Sequence, residues 1–169
     1  LDLHEPLPGK RILCDIKSAQ LIKYAANAFL ATKISFANAM SVICEKTGAN
    51  VKKVMQGIGV DSRIGKSYLN AGLGYGGSCL PKDISAFIAL SNDLGYDFNL
   101  LKSVEKINND QIQNFILKII KTLGLKSNQK LHGVKLAILG LAFKPNTDDI
   151  REAPSLKVIR ALLDLGARI

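Results

Sequence analysis

The segment GLGYGGSCLPKD (72–83) places one thiol among glycines, next to a lysine and a carboxylate. Its first six residues fit the GxGxxG spacing of dinucleotide-binding turns. We reject that interpretation because no strand pattern precedes the segment and a Cys-Leu-Pro run follows it directly. We interpret the segment as a loop whose glycines let the backbone approach a ligand, and which leads into a helix N-terminus.

Cys79 is the candidate nucleophile of this loop. It lies just before the predicted helix, so the helix dipole and nearby Lys82 both favour the thiolate, which is the nucleophilic form. Asp83 lies four residues further on and is placed to act on a water or to orient a partner. The alternative, which is more common for a single cysteine, is a buried core residue.

Lys23 and Asn27 form the second candidate pair. They are four residues apart in a region of helical pattern, so they share one face of a helix. Beside a substrate oxygen, such a pair can donate hydrogen bonds to developing negative charge, as an oxyanion hole does. The alternative is an ordinary solvated helix face.

The third candidate cluster is GLAFKPNTDDIRE (140–152). It follows a predicted strand, and open α/β sheets bind ligands at the carboxyl ends of their strands. Lys144 and Arg151 suit a diphosphate or a ribose. The alternative is an ordinary strand-to-helix connection in which Asp148 and Asp149 serve as caps.

The apolar spacing predicts the elements that must position these residues. It favours helices over 17–46, 51–58, 82–94, 100–123 and 154–165, with a buried strand over 134–139. The first helix, at ~1.5 Å per residue, is about 45 Å long and is expected to pack on another domain or subunit. We therefore predict a mainly α-helical domain with a long dimerisation helix, followed by the truncated start of a Rossmann-like α/β domain. The expected boundaries are a linker at 1–16, the helical domain at 17–124 and the α/β part at 125–169.

Composition excludes several classes of protein. With 47% hydrophobic and 22% charged residues, the chain of 169 residues is typical of globular proteins, and no apolar run approaches a bilayer span. Three cysteines without a CxxC pair argue against a zinc site or a disulfide framework, so we expect a reducing, cytoplasmic setting. The net charge of +9 favours an anionic partner such as a nucleotide. No basic motif with interleaved aromatics supports nucleic-acid binding.

Together the three clusters resemble the nucleotide-sugar 6-dehydrogenases, the UDP-glucose/GDP-mannose dehydrogenase family, over residues 17–169. That family oxidises a sugar C6 alcohol to a carboxylate in two hydride transfers to NAD. The resemblance implies that Cys79 attacks the intermediate aldehyde to give a thiohemiacetal, which becomes a thioester for hydrolysis. It also implies that Lys23 and Asn27 stabilise the oxyanion and that Asp83 assists the water.

The resemblance further implies binding residues. Cys79, Lys82 and Arg151 match cofactor-contacting positions, and Arg63 matches an arginine that reaches the sugar site of the other subunit of a homodimer. The remaining substrate-contacting positions are Tyr68, Asn70, Gly72, Gly74, Tyr75, Gly76, Phe143 and Lys144.

The run GVDSRIG (59–65) favours UDP-glucose as substrate, with GDP-mannose as the alternative. Relatives that act on N-acetyl amino sugars usually have a histidine where this chain has Ser78, so we rank that substrate class lower. A helical dimerisation module without chemistry is the alternative from another class. The family's N-terminal NAD-binding Rossmann domain is expected to be absent, so we expect the isolated chain to be inactive.

Overall fold

Five α-helices form the described part of the protein. The computed structural model describes residues 8–127 and 129–169. The helices are α1 (Ile16–Thr47), α2 (Val51–Gly59), α3 (Leu80–Asp93), α4 (Asn99–Thr122) and α5 (Pro154–Asp164). Each helix begins and ends within two residues of its predicted bounds, so the mainly helical prediction is confirmed. Residues 1–7 of the predicted linker lie outside the described residues.

Local sequence signals set the ends of the first two helices. The Asp15 carboxylate accepts a hydrogen bond from the Ser18 N–H at 3.0 Å and so caps α1. Gly48 ends α1 in the left-handed conformation, at φ 75°, which glycine adopts without strain. The Asn50 side chain then caps α2 by accepting from the Lys53 N–H at 3.2 Å.

The core forms around α1, which packs against α2, α3 and α4. One buried cluster joins α1, α3, α4 and the glycine loop, through Ala28, Ala31, Tyr75, Ile84, Leu101 and Val104. A smaller cluster joins α1, α2 and the loop that follows α2, through Ala37, Met55 and Leu69. The glycine loop (72–83) and the loop after α2 therefore contribute residues to the core.

One face of α1 is left uncovered. Ile22, Phe29, Phe36 and Ile43 follow one another at seven-residue intervals, and each is about half exposed or more. Residues seven apart lie on nearly the same side of a helix, so these four side chains form a continuous apolar stripe. Over residues 8–127 and 129–169, no helix has both the length and the apolar composition of a membrane span.

The predicted strand at 134–139 is wrong. In the described residues this segment makes one isolated parallel bridge, between Lys135 and Arg168. The Leu136 N–H donates to the Arg168 carbonyl at 2.8 Å, and the Arg168 N–H donates to the Val134 carbonyl at 2.9 Å. A strand needs a neighbour along its length, whereas among the described residues the bridge bonds of this segment all involve Arg168, and Leu139 is 96% exposed. Of the predicted Rossmann-like part, the described residues therefore contain helix α5 and one isolated β-bridge, but no β-sheet.

A third core cluster crosses the predicted domain boundary at residue 124. It packs the C-terminal half of α4 against α5 and the segments beside it, through Ile116, Ile120, Leu131, Val158, Leu162 and Ala167. Helix α4 therefore contributes to both halves of the described structure.

Candidate active site

Cys79 is the N-cap residue of α3, and Pro81 lies in the first turn of that helix. Proline is well suited to this position, because its missing N–H would have no intrahelical partner there. The Cys79 side chain makes no capping hydrogen bond. The residue is exposed, and its sulfur lies 3.7 Å from the Ser78 hydroxyl. The thiol is thus accessible at a helix N-terminus.

Asp83, in the first turn of α3, collects three donors although the residue is only 3% exposed. Lys23 Nζ and Asn27 Nδ2 donate to its Oδ2 at 2.5 Å and 2.6 Å. Lys82 Nζ donates to Oδ1 at 2.7 Å. Burial opposes ionisation of Asp83, but the hydrogen bonds from Lys23, Lys82 and Asn27 outweigh it and lower its pKa to about 2. The carboxylate is therefore ionised across the physiological range.

Lys23 and Asn27 do share a face of α1, and that face points toward the N-terminus of α3. The Lys23 side chain remains 61% exposed while its ammonium contacts Asp83. The Asn27 side chain lines the cavity beside Cys79. Asp83 therefore fixes the orientation of both donors, because one carboxylate oxygen accepts from the two of them.

A cavity of about 310 Å³ opens beside the thiol. This volume is at the lower end of the ~300–1,000 Å³ that small-molecule sites occupy. It gathers residues of all three sequence clusters and is lined by Asn27, Leu30, Ile34, Tyr68, Tyr75, Gly76, Ser78, Cys79, Leu80, Phe143 and Lys144. The structure thus brings the candidate nucleophile together with one residue of the donor pair and five of the predicted substrate residues.

The glycine loop and the 140–152 segment are in direct contact. The Gly77 N–H donates to the Arg151 carbonyl at 2.9 Å. A Cβ on Gly76 would lie 2.2 Å from the Glu152 carbonyl oxygen, and one on Gly77 would lie 2.7 Å from the Phe143 ring. At Gly76 the obstacle is backbone, so this glycine is required for close approach. At Gly77 a side chain would displace the Phe143 ring and would also have to adopt φ 83°, a left-handed conformation that favours glycine.

Two exposed cations, Arg151 and Lys82, lie near the thiol. Arg151 forms a two-point ion pair with Asp149, with Nη2 at 2.7 Å and Nε at 3.0 Å. The guanidinium hydrogen bonds lower the pKa of Asp149 to about 2. The hydrogen bonds to Asp149 are the main cause that raises the pKa of Arg151. The hydrogen bond to Asp83 is the main cause that raises the pKa of Lys82, and Cys79 adds a smaller electrostatic contribution to both. Both cations therefore lie within electrostatic range of the sulfur.

Two tyrosines of the cavity have unusual environments. Tyr68 has φ 64°, a left-handed conformation that costs about 1–2 kcal/mol for a residue with a Cβ. The Tyr75 hydroxyl is buried without a hydrogen-bond partner among the described residues. Burial, with a smaller contribution from the charge of Glu105, raises the pKa of Tyr75 to about 12. Tyr75 is therefore neutral in this cavity.

Other predicted residues lie elsewhere. Asn70 lines a separate cavity of about 470 Å³ between α2 and the following loop. Arg63 is largely exposed, pairs with Asp61 at 2.6 Å, and does not line the cavity beside the thiol. Gly72 and Gly74 also lie outside the lining of that cavity.

Three residues that hold the glycine loop were missed by the sequence analysis. Asn38, Asn108 and Gln111 each bond to its backbone from α1 or α4. The only sequence signal for them is a polar residue at a core-facing position of a long helix. That signal becomes visible once the packed face of each helix is known.

The chain matches two parts of one protein family. Residues 17–110 match the central domain of the UDP-glucose/GDP-mannose dehydrogenase family, and residues 137–169 match its UDP binding domain. UDP-glucose 6-dehydrogenase YwqF of Bacillus subtilis is 53% identical over 92% of this chain. UDP-glucose 6-dehydrogenase TuaD of the same organism is 46% identical over 99% of this chain. The chain spans about a third of the length of these relatives, 34% and 35% respectively.

The fold agrees with the sequence comparison. A UDP-glucose dehydrogenase from the hyperthermophilic archaeon Pyrobaculum islandicum superposes with a TM-score of 0.93 at 40% identity. The superposition covers 99% of this chain and 38% of that structure. The match includes the glycine loop, the Lys23–Asn27 pair and the 140–152 segment. Residues from all three of these clusters line one cavity. The chain belongs to the UDP-glucose/GDP-mannose dehydrogenase family.

Proposed function

We propose that the protein carrying this chain is an NAD-dependent oxidoreductase that converts UDP-glucose to UDP-glucuronate. The observation that carries the proposal is the exposed Cys79 thiol, at a helix N-terminus and on the wall of a cavity shared with Asn27 and Phe143. The names of the relatives, which are UDP-glucose 6-dehydrogenases, support the choice of substrate.

Cys79 acts as the nucleophile in this proposal. After the C6 alcohol has been oxidised to an aldehyde, the sulfur forms a bond to the aldehyde carbon and gives a thiohemiacetal. A second two-electron oxidation turns this adduct into a thioester. Water then adds to the thioester carbon, the carbon–sulfur bond breaks, and the carboxylate and the free thiol are released. NAD, when bound, supplies the oxidant for both oxidations.

Asn27 and Lys23 stabilise the negative charge that develops on the C6 oxygen. Asn27 reaches the cavity directly, and the Lys23 ammonium is held beside it by the shared Asp83 oxygen. Of the two roles expected for Asp83, orienting these donors is the better supported. Its carboxylate is buried and already accepts three hydrogen bonds, and its lowered pKa makes it a weak base.

The described residues fit an anionic dinucleotide. Lys82 and Arg151 are exposed cations within electrostatic range of the thiol, and a diphosphate is a ligand that such side chains favour. We assign these two residues to hold NAD close to Cys79. Lys144 and Phe143, which line the cavity, are assigned to the sugar nucleotide.

We infer that the protein works as a homodimer or larger homo-oligomer. The apolar stripe on α1 supports this, because four large side chains at seven-residue intervals need a covering surface. The position of Arg63 also supports an oligomer. Its guanidinium is exposed and does not line the cavity beside Cys79 of the same chain, so it can reach the corresponding cavity of a second subunit. The three cysteines, all free, support a reducing, cytoplasmic setting.

The test uses the full-length protein and measures NADH formed per UDP-glucose consumed. A ratio near two is expected for the wild type, since two two-electron oxidations occur in one site. Cys79→Ser is expected to abolish or stall turnover, because its hydroxyl is a far weaker nucleophile than a thiolate. Cys44→Ser is the matched control, because Cys44 is buried away from the cavity.

Each other outcome has a definite meaning. A ratio near two with GDP-mannose, and no reaction with UDP-glucose, would keep the mechanism and replace the substrate. If neither sugar nucleotide is oxidised and Cys79→Ser behaves as the wild type does, the proposal is wrong.

A further inference from the structure

The glycine loop is held by side-chain amides at two points. At Gly72, the backbone N–H donates to Asn38 Oδ1 at 2.7 Å, and the carbonyl accepts from Gln111 Nε2 at 2.9 Å. At Tyr75, the backbone N–H donates to Asn108 Oδ1 at 2.7 Å, and the carbonyl accepts from Asn108 Nδ2 at 3.3 Å. Both polar backbone groups of Gly72 and of Tyr75 are therefore satisfied by side chains.

These amides take the place of a neighbouring strand. A buried loop must satisfy its backbone groups, and strands normally do this by pairing with each other. Here the partners come from α1 and α4, which are rigid helices packed in the core. Asn38 is 0% exposed and Gln111 is buried, so the side-chain partners of Gly72 are held in the core although Gly72 itself is exposed. A hydrogen bond of this kind is expensive to leave unmade.

Of the two points held by amides, the one bound by Asn108 is the nearer in sequence to the thiol. It binds Tyr75, whose side chain lines the catalytic cavity with that of Cys79. A Cβ on Gly74 would lie 2.6 Å from Asn108 Oδ1, so the glycine permits the amide to approach. A side-chain amide that both donates to and accepts from one residue fixes the position and the direction of that peptide segment.

We propose that Asn108 is a positioning residue for sugar-nucleotide binding, acting through the backbone of Tyr75. Its amide sets the position of the loop between Gly74 and Gly76, and with it one wall of the cavity. Asn38 and Gln111 fix the start of the same loop at Gly72. This inference rests on the proposed function, because it assumes that the loop contacts the sugar nucleotide.

The test uses the full-length enzyme and compares Asn108→Ala, Asn108→Asp and Asn109→Ala. Asn109 is the matched control: it is the same residue type, one position along α4, and exposed. We expect the KM for UDP-glucose to rise about tenfold or more in both Asn108 variants, with a smaller change in kcat. The aspartate variant keeps the acceptor for the Tyr75 N–H but turns an oxygen toward the Tyr75 carbonyl. It therefore tests the donor separately in a side chain of the same shape.

A purely structural role for Asn108 predicts a different pattern. It would lower the melting temperature and the active fraction, and so kcat, while KM stayed at the wild-type value. An unchanged KM in the folded Asn108 variants therefore overturns the inference, and Asn108→Asp decides it if Asn108→Ala does not fold. A rise in KM of similar size in Asn109→Ala overturns it as well.

If the wild type oxidises no sugar nucleotide, the proposed function is wrong and this inference is wrong with it. If it oxidises only GDP-mannose, the same comparison is made with the KM for that substrate.

Discussion

The Lys23 ammonium lies 2.5 Å from a carboxylate oxygen of Asp83, sixty residues further along the chain. This ion pair joins the first half of α1 to the first turn of α3. It places the donor pair of α1 beside Cys79, which immediately precedes α3. The ionised carboxylate of Asp83 therefore adds an electrostatic contact to the apolar packing of α1 against α3.

Replacing Asp83 by asparagine is expected to destabilise the full-length protein in a pH-dependent way. The folded pKa of Asp83, about 2, lies below its ordinary value of 3.8. The stabilisation is therefore present above about pH 4 and is lost as the pH falls toward 2. The pKa difference corresponds to about 2 kcal/mol of the free energy of unfolding at neutral pH. Melting temperatures of the wild type and Asp83→Asn, measured from pH 7 down to pH 2, should therefore converge at low pH.

Asp93→Asn is the control for this comparison, because Asp93 is exposed at the other end of the same helix. It should alter the melting temperature little. If the gap between the wild type and Asp83→Asn stays constant across the pH range, the ionised carboxylate is not the source of the stabilisation.

Substituting Gly76 by alanine is expected to separate the two sequence motifs that form the cavity. The added Cβ would lie 2.2 Å from the Glu152 carbonyl oxygen, which is backbone and has little room to move. Overpacking of this kind costs about 3 kcal/mol or more when the neighbour cannot move. Thermal unfolding should show a clear loss of stability, and turnover of UDP-glucose should fall with it.

Gly57→Ala serves as the reference for the Gly76 variant. A Cβ on Gly57 meets nothing within 4 Å, and the residue lies inside helix α2. Alanine should be neutral there or stabilise by up to about 1 kcal/mol. Equal melting temperatures for Gly76→Ala and the wild type would show that the loop and the 140–152 segment are not in contact.

Lys33→Met is expected to loosen the turn that carries Arg63. Lys33 Nζ donates to the carbonyls of Ile64 and Gly65 at 2.9 Å and 3.3 Å. Loss of these bonds should cost about 1 kcal/mol locally, so the turn should open about fivefold more often. Hydrogen exchange of the amides of residues 61–65 measures this directly. Lys46→Met, an exposed lysine on the same helix, should leave that exchange unchanged, and equal rates in both variants would contradict the prediction.

Tyr68→Gly is expected to reduce substrate binding without a matching loss of stability. Glycine adopts the observed φ of 64° freely, and this relief of about 1 kcal/mol offsets the entropy that glycine gains in the unfolded chain. The missing ring removes part of the cavity wall, so the KM for UDP-glucose should rise.

Tyr96→Gly provides the comparison for Tyr68, because Tyr96 is also exposed and its φ is not positive. This variant loses the edge contact with Phe98 and gains no relief of strain, so its melting temperature should fall further than that of Tyr68→Gly. The opposite order would show that the Tyr68 backbone is not strained.

The helical part of the fold followed from local sequence. Glycine and proline are absent from 17–46, Asp15 and Asn50 act as caps, and Gly48 supplies the left-handed end, so α1 and α2 could be located by short-range rules. The strand at 134–139 could not be predicted in the same way. Its apolar pattern describes a segment suited to a sheet, but a strand forms only through pairing, and pairing is a long-range property.

The sequence alone also determined the chemical components of the candidate site. Residue type and local spacing carry the chemistry of these components. The sequence was therefore sufficient to identify the glycine loop, the Lys23–Asn27 pair and the 140–152 segment. Tertiary structure alone decided how these components meet. In the folded chain, Asp83 is buried and accepts hydrogen bonds from Lys23 and Asn27. The glycine loop packs against Phe143, and Asn108 is hydrogen-bonded to the backbone of Tyr75. These contacts join residues that are dozens of positions apart, and they depend on helix packing, which is set by the whole core and not by any local pattern.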